Sequence, residues 1–317
     1  EGFRETAGRL FSLYRDIFTG LTEGGMDKGR AREDARYVLP LATSCQMGMT
    51  LNARELEHMI RRLSCHPFRE VRDIAELLLE LASKAAPSLF LFLEPTAMDC
   101  FANSLSPVGS LPEDEVILVD CDNDSRVGEL LIQWKNGVSL TDARERWKAM
   151  DSEERKSIFA EVFSGLGIHD SLPREWEFFR ARFQLVVSSS AYAQLKRHRM
   201  CSRLTSVYDP VLEYTVPKSV HEQGLGDAFA EGMAAAEEFA GKMGTLYPYA
   251  LTNAHRRRVT LDMNGRELYH FSRLREDAHA QWDIRETAHR MVEMLRKKAP
   301  LTFMLAGGKS DLENVLF

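Results

Sequence analysis

No run of about eighteen apolar residues, the length a membrane-spanning helix needs, occurs in this 317-residue chain, and SLFLFL at 88–93 is far too short. No signal-peptide pattern opens it, and a start at Glu1 rather than Met reads as a fragment or a processed product. CxxC pairs are missing. The five cysteines (Cys45, Cys65, Cys100, Cys121, Cys201) are odd in number and scattered, which argues against a disulfide scaffold or a zinc ribbon and suits a reducing cytoplasm. Cys45, His58, Cys65 and His66 fit no usual metal-ligand spacing, so no metal is expected. A basic excess is missing too: net charge is −6 and the pI about 5.9, against a dedicated nucleic-acid binder. GLGDAF at 224–229 leads into a helix with no strand before it, so it is not a phosphate-cradling loop.

What is there is 44% hydrophobic and 28% charged, ordinary for a globular protein, with length enough for two domains. One pattern recurs. Asn52-Ala53-Arg54-Glu55-Leu56-Glu57-His58 and Asn264-Gly265-Arg266-Glu267-Leu268-Tyr269-His270 lie 212 positions apart and agree at five of seven positions. At an offset of 213, Arg62 pairs with Arg275, His66 with His279, Arg72 with Arg285 and Ala86-Pro87 with Ala299-Pro300. Helices in general share apolar spacing, but not Asn, Arg, Glu and His at fixed places. So long a period means two domain-sized copies, not a solenoid.

Residues 3–21 read as an amphipathic helix stopped by Gly24-Gly25, with further helices at about 52–63 and 70–85. The Pro/Ser-rich stretch 95–113 reads as a linker. VILVDC (116–121) reads as a strand, followed by helices at about 125–135 and 139–164 and a strand over 176–188. A helix over 189–199 carries the basic cluster, a long one covers about 222–245, and a last one covers about 282–298. HRRR at 255–258 reads as a solvated edge. The division expected is 1–104, the helical half of a first copy plus linker, and 105–317, a nearly complete second copy.

On a regular helix Asn264, Leu268, Phe271 and Arg275 share one face. Asn264 and Arg275 then stand about 16 Å apart, a span that suits an extended ligand with a polar ring and a phosphate. The competing reading is an Asn that caps the helix and an Arg in water, and the pattern alone leaves both open. In the first copy the arginine is Arg62, one residue early and about 80° round the helix. Gln194, Arg197 and His198 form a second cluster, able to stabilise an anion or a reduced ring. Its competing reading is a solvated basic helix end.

AQLKRHR, the preceding HDSLPREWEFF, EDARYVLP at 33–40 and the N-x-R-x-L helix followed by AHAQWDIR (278–285) together resemble the flavin-dependent thymidylate synthases, marked by R-H-R-x7-S. The resemblance covers about 113–305 for one copy and 1–90 for the back half of another. It implies an α+β fold of antiparallel sheet flanked by helices, here duplicated with the first copy represented mainly by its helical half. It also implies bound FAD, active sites shared between subunits of a tetramer, and reductive methylation of dUMP to dTMP with methylenetetrahydrofolate and NADPH. By position, Arg197, His198 and Arg199 match the flavin- and folate-facing triplet, and His169 a histidine near the flavin. Asn52 and Asn264 match a flavin-contacting asparagine, with His58 and His270 where the family has a second asparagine. Gln194, Ser206 and Arg36 match nucleotide contacts, and Arg275, with Arg62 as its first-copy counterpart, the arginine that reaches the uracil ring. Arg275 and His198 are thus the expected catalytic pair.

The chain departs from the family where the phosphate would sit. Ser206 falls one residue early, Thr205 replaces a glutamate, Val207-Tyr208 replace Gly-Arg, and Pro248 stands where the first copy has Arg36. The expectation is therefore one composite site per pair of copies, with the second copy's triplet facing Arg36 and Asn52 of the first. Two alternatives stay open: a flavin- or nucleotide-binding homologue without synthase activity, and transfer to another pyrimidine. The expected partner is a nucleotide, not nucleic acid or a membrane, in a homo-oligomer in which two tandem chains imitate the tetramer.

Overall fold

The structure is a computed structural model and describes residues 2–101, 110, 113–167 and 170–310. The first half is helical: α1 (Gly2–Glu23), α2 (Lys28–Ala35), a 3-10 turn Arg36–Val38, α3 (Ala53–Ser64), α4 (Arg69–Ala85) and the short α5 (Ala97–Phe101). β1 (Val116–Cys121), α6 (Ser125–Asn136), α7 (Leu140–Ala149) and α8 (Ser152–Ser164) follow. The single helix expected over 139–164 is two, because Asp151 and Glu154 form a reciprocal capping box that starts a new helix.

After a 3-10 turn at Arg174–Phe178 come β2 (Arg180–Ser188) and α9 (Ser189–Leu195), the latter shorter than the expected 189–199 helix. Next are β3 (Cys201–Thr205), α10 (Lys218–Glu222), α11 (Gly226–Ala240), β4 (Arg256–Asn264), α12 (Gly265–Arg275) and α13 (Trp282–Lys298). The 222–245 helix is interrupted at its start, where Gly224 takes a positive φ of 69°. HRRR is no mere edge: Arg256–Arg258 open β4, whose Val259, Leu261 and Met263 are fully buried.

The sheet is antiparallel in the order β1-β2-β4-β3. Its strands alternate as a half-covered sheet must. Ala181, Phe183 and Leu185 of β2 point into the core with β4's apolar residues, against Ile284, Ala288 and Met291 of α13. On the other face Arg182 pairs with Asp120 and Asp262 at 3.2 and 3.1 Å. This is the α+β arrangement the sequence implied.

The first half is not a free-standing layer. Ile17, Leu21 and Tyr37 share one core with Val220, Phe229 and Met233. Leu41 N–H donates to Leu251 O at 2.7 Å and Asn253 N–H to Leu39 O at 3.0 Å, around a bridge of Pro40 with Thr252. A Cβ on Gly232 would lie 2.5 Å from Leu13 Cδ2, and one on Gly20 3.0 Å from Leu225 Cδ1, so α1 and α11 approach closely at both glycines. Tyr37 donates to Asp283 (2.8 Å) and Tyr249 to Glu70 (2.6 Å). Shifted by 212 or 213 positions, each contact becomes its counterpart with the segments exchanged, the relation of an isologous, two-fold interface.

One cysteine pairing was not visible in the sequence: Cys45, Cys121 and Cys201 are free, while Cys65 and Cys100 are joined in a disulfide. It closes a stripe of α3 in which Glu57 accepts from Phe92 N–H (3.0 Å) and Arg61 pairs with Asp99 (3.1 Å). Residues 57, 61 and 65 are spaced one turn apart and so face the same way, which brings Cys65 to a segment that sequence distance concealed. Among the described residues no helix is long and apolar enough to cross a membrane.

Candidate functional site

β4 delivers the chain to Asn264 in extended backbone (φ −81°, ψ 163°), and its side-chain oxygen accepts from Glu267 N–H at 2.8 Å. That cap begins α12. Gly265 is needed next, since a Cβ there would lie 2.8 Å from Trp176 O. Eleven residues on from the cap, Arg275 leaves the last turn. α9 is capped by Ser188, whose hydroxyl accepts from Ala191 N–H at 3.0 Å, and it ends at Leu195. The basic cluster therefore lies in the turn that leads to β3. Within it His198 is 4% exposed while Arg197 and Arg199 face solvent.

Four side chains from these elements form a continuous array. Glu267 Oε1 lies 2.9 Å from His198 Nδ1. Arg275 donates from Nε to His198 Nε2 at 3.0 Å, and to the side-chain and backbone oxygens of Gln194 at 2.6 and 3.3 Å. The His198 ring packs edge-on to Phe271 with centroids 4.9 Å apart. Burial, and then the like charge of Arg197, hold the Arg275 pKa below the usual arginine value. Guanidinium stays protonated all the same, so a half-buried cation next to another cation favours an anionic or carbonyl-rich ligand. Three of its five N–H groups are used, which leaves two to offer.

A cavity lies on each side of this array. One, of about 310 Å³, is lined by Asn264, Glu267, His270, Met200 and Arg273. The other, of about 560 Å³, is lined by Gln194, Arg275, His279, Lys309 and, from the first half of the chain, Glu33. Arg36 sits 4.0 Å from Glu33, near the second cavity. The first half of the chain thus reaches the second cavity through α2 and not through α3.

The structure brings Gln194, Arg197, His198, Asn264, His270 and Arg275 together. Asn52 does not join them: it is exposed, capping α3 by accepting from Glu55 N–H at 2.9 Å. His58 is half-buried on α3, Arg62 is exposed there, and neither lines the two cavities. α3 is uninterrupted α-helix from Ala53 to Ser64, so nothing brings the early arginine back into register. Ser206 is committed to backbone, donating to Val207 O (2.8 Å) and accepting from Arg258 N–H (3.1 Å). Arg257, held between the rings of Tyr192 and Tyr208 at 4.6 and 4.4 Å, pins the same loop. His169 lies outside the described residues, although Ser171 lines the smaller cavity. Among the lining residues that escaped the sequence are Glu33, visible only inside EDARYVLP, and Glu267, which stands three residues after a cap.

A catalytic look-alike is buried elsewhere. His255 accepts at Nδ1 from Thr252 N–H (2.9 Å) and turns Nε2 to Glu237 (3.3 Å). Thr252 is 0% and His255 1% exposed, so no substrate reaches them and the trio fastens the turn before β4.

A sheet backed by helices, with an R-H-R turn meeting an arginine from the adjoining helix, is the frame expected of a flavin-dependent thymidylate synthase. The profile of the thymidylate synthase complementing protein family matches residues 1–88 and 134–301. The chain belongs to that family. It is 24% identical over 290 residues to the UPF0159 protein Ta1429 of Thermoplasma acidophilum, covering 86% of this chain and 58% of that protein. It is 31% identical over 184 residues to the flavin-dependent thymidylate synthase of Geobacter sulfurreducens, covering 54% of this chain and 76% of that one. Among solved structures, the UMP/dUMP methylase PolB from Streptomyces cacaoi, bound with 5-Br dUMP, is similar at a TM-score of 0.48 and 19% identity, over 61% of this chain and 95% of that one. The chain spans little more than half the length of the Thermoplasma relative.

Proposed function

We propose that this chain carries one composite site for the reductive methylation of dUMP to dTMP, with FAD, NADPH and methylenetetrahydrofolate. The observation that carries the reading is the Gln194–Arg275–His198–Glu267 array between two cavities. The larger cavity takes the nucleotide. There Arg275 offers its spare N–H groups to a uracil carbonyl, where negative charge builds as C5 becomes nucleophilic, and Lys309 adds a cation for the phosphate. The smaller cavity takes the flavin ring. Its residues fit such a group, because the Asn264 cap uses only the amide oxygen and leaves the Nδ2 donor available beside His270. When bound, the flavin supplies the hydride. The chain's own residues hold, orient and neutralise.

The reading extends to a cytoplasmic protein in which residues 1–104 and 105–317 descend from two copies of one unit, two chains then imitating a tetramer. Purified protein is expected to be yellow or to become so with FAD, saturating at one flavin per chain, and to oxidise NADPH faster with dUMP and form dTMP detectable by mass spectrometry. Protein that stays colourless in FAD defeats the reading. One observation favours a second reading. With Ser206 committed to backbone, the phosphate grip is altered, as in a flavin-binding homologue that has lost turnover or accepts another pyrimidine. Flavin binding with no dTMP would select it.

A further inference from the structure

We infer that Glu267 is a positioning residue: its carboxylate fixes the proton of His198 on Nδ1 and thereby aims Arg275 at the nucleotide cavity. The inference deepens the proposed function, and it rests on that reading only for the nucleotide measurement below.

The hydrogen-bond inventory leaves one consistent assignment. Arg275 Nε always carries a proton, so His198 Nε2, 3.0 Å away, must accept. Nδ1, 2.9 Å from Glu267 Oε1, must then carry the ring proton and donate to a carboxylate. Were Glu267 absent, Nδ1 would have lost its buried acceptor. The ring would then be free to place its proton on Nε2, facing the N–H of Arg275 donor to donor. Two donors cannot share that line, so Arg275 would have to swing away from Gln194. Backbone contacts strengthen the arrangement: Cys201 Sγ and Arg203 both donate to His198 O, at 2.9 and 2.6 Å, so the ring cannot simply translate.

Glu267 does not close a capping box, and a second helix of the same chain shows the alternative use of that position. Glu154 holds the same third position in α8, and its carboxylate turns back to the Asp151 N–H at 2.8 Å, closing the capping box. Glu267 makes only half of that motif. Asn264 accepts from its N–H, but its carboxylate turns away to His198 and is 7% exposed. A buried carboxylate that gives up a cap bond for a histidine has been spent on the site, near the helix N-terminus where its charge is favoured.

The test is the tautomer itself, read by nitrogen NMR on histidine-labelled full chain, with His198→Gln to assign the resonance. Wild type is expected to show protonated Nδ1 and bare Nε2. Glu267→Ala is expected to lose that pattern, whereas Glu267→Gln, which keeps an acceptor oxygen, retains it. In calorimetry Glu267→Ala is expected to weaken dUMP binding about tenfold or more, and Glu267→Gln by no more than about threefold. An Nε2-protonated ring in wild type overturns the inference even if the alanine variant does not fold. So does an alanine variant that keeps the Nδ1 proton, or one that binds dUMP as wild type does. A wild type that binds no dUMP but shows the tautomer pattern strikes the proposed function and leaves Glu267 in place.

Discussion

The two amide atoms of Asn264 can be tested apart: the oxygen caps α12, and the nitrogen remains for a ligand in the smaller cavity, the proposed place of the flavin. Asn264→Asp keeps an acceptor at the cap, where a negative charge is favoured, but removes the nitrogen donor. It is expected to unfold within about 0.5 kcal/mol of wild type while binding FAD several-fold more weakly. Asn264→Ala should lose both, with about 1 kcal/mol of stability. Asn52→Ala should lose only the stability, because Asn52 caps an exposed helix end remote from either cavity. Denaturant unfolding and flavin titration on the three variants separate the roles. If Asn264→Asp binds FAD like wild type, the asparagine is a cap and nothing more.

At the scale of elements, the repeated helices differ at one small position for a readable reason. Gly265 follows its cap where Trp176 O leaves no room for a Cβ, at 2.8 Å, with Phe179 Cβ at 3.1 Å. The matching place in the other occurrence of the pattern is Ala53. Gly265→Ala, which makes the second helix more like the first, is expected to destabilise by about 1–3 kcal/mol, since backbone has to yield. Ala53→Gly should cost no more than about 1 kcal/mol of helix propensity. Equal losses in denaturant unfolding would contradict this packing.

Other elements show what a single sequence conveys. α4 and α13 fall within a residue of their expected bounds, because apolar periodicity and a following Ala-Pro mark both. The break at Met150–Asp151 was encoded in D-x-x-E but hidden by unbroken helical composition on either side. β3 and β4 were missed because strand character there depends on pairing. Arg256–Arg258 read as a charged edge until β2 stands beside them from Arg180 to Ser188. In the site, Arg275, His198 and Gln194 were picked out by the resemblance; spacing alone left a solvated alternative open, and α9 ends before His198. Glu267 was not, since a glutamate three residues after a cap has a local use that only the direction of its side chain rules out.

For the whole molecule, the two-fold seam is symmetric in its partners and asymmetric in its solvent. Tyr37 to Asp283 and Tyr249 to Glu70 are counterparts, yet Tyr37 is fully buried and Glu70 exposed. Asp283 Oδ2 accepts from both Tyr37 and Ser188, but desolvation outweighs these bonds and raises its pKa. The folded state therefore holds the Asp283 proton more tightly than the unfolded chain does. Between the ordinary aspartate value, about 3.9, and the raised folded value, the native state binds more protons, so this group makes stability fall as pH rises. Its contribution is fully present below the ordinary value and gone above the raised one. Asp283→Asn keeps an acceptor for both hydroxyls and cannot ionise. It is expected to match wild type in acid and to exceed it near neutrality, by about 1.4 kcal/mol for each unit the pKa is raised. Glu70→Gln, on the solvated side of the same seam, should change stability by less than about 0.5 kcal/mol. Thermal unfolding of the three proteins across pH decides the matter. A constant offset between Asp283→Asn and wild type at every pH would mean that the buried half of the seam is held by packing alone, and that its charge plays no part in joining the two halves of the chain.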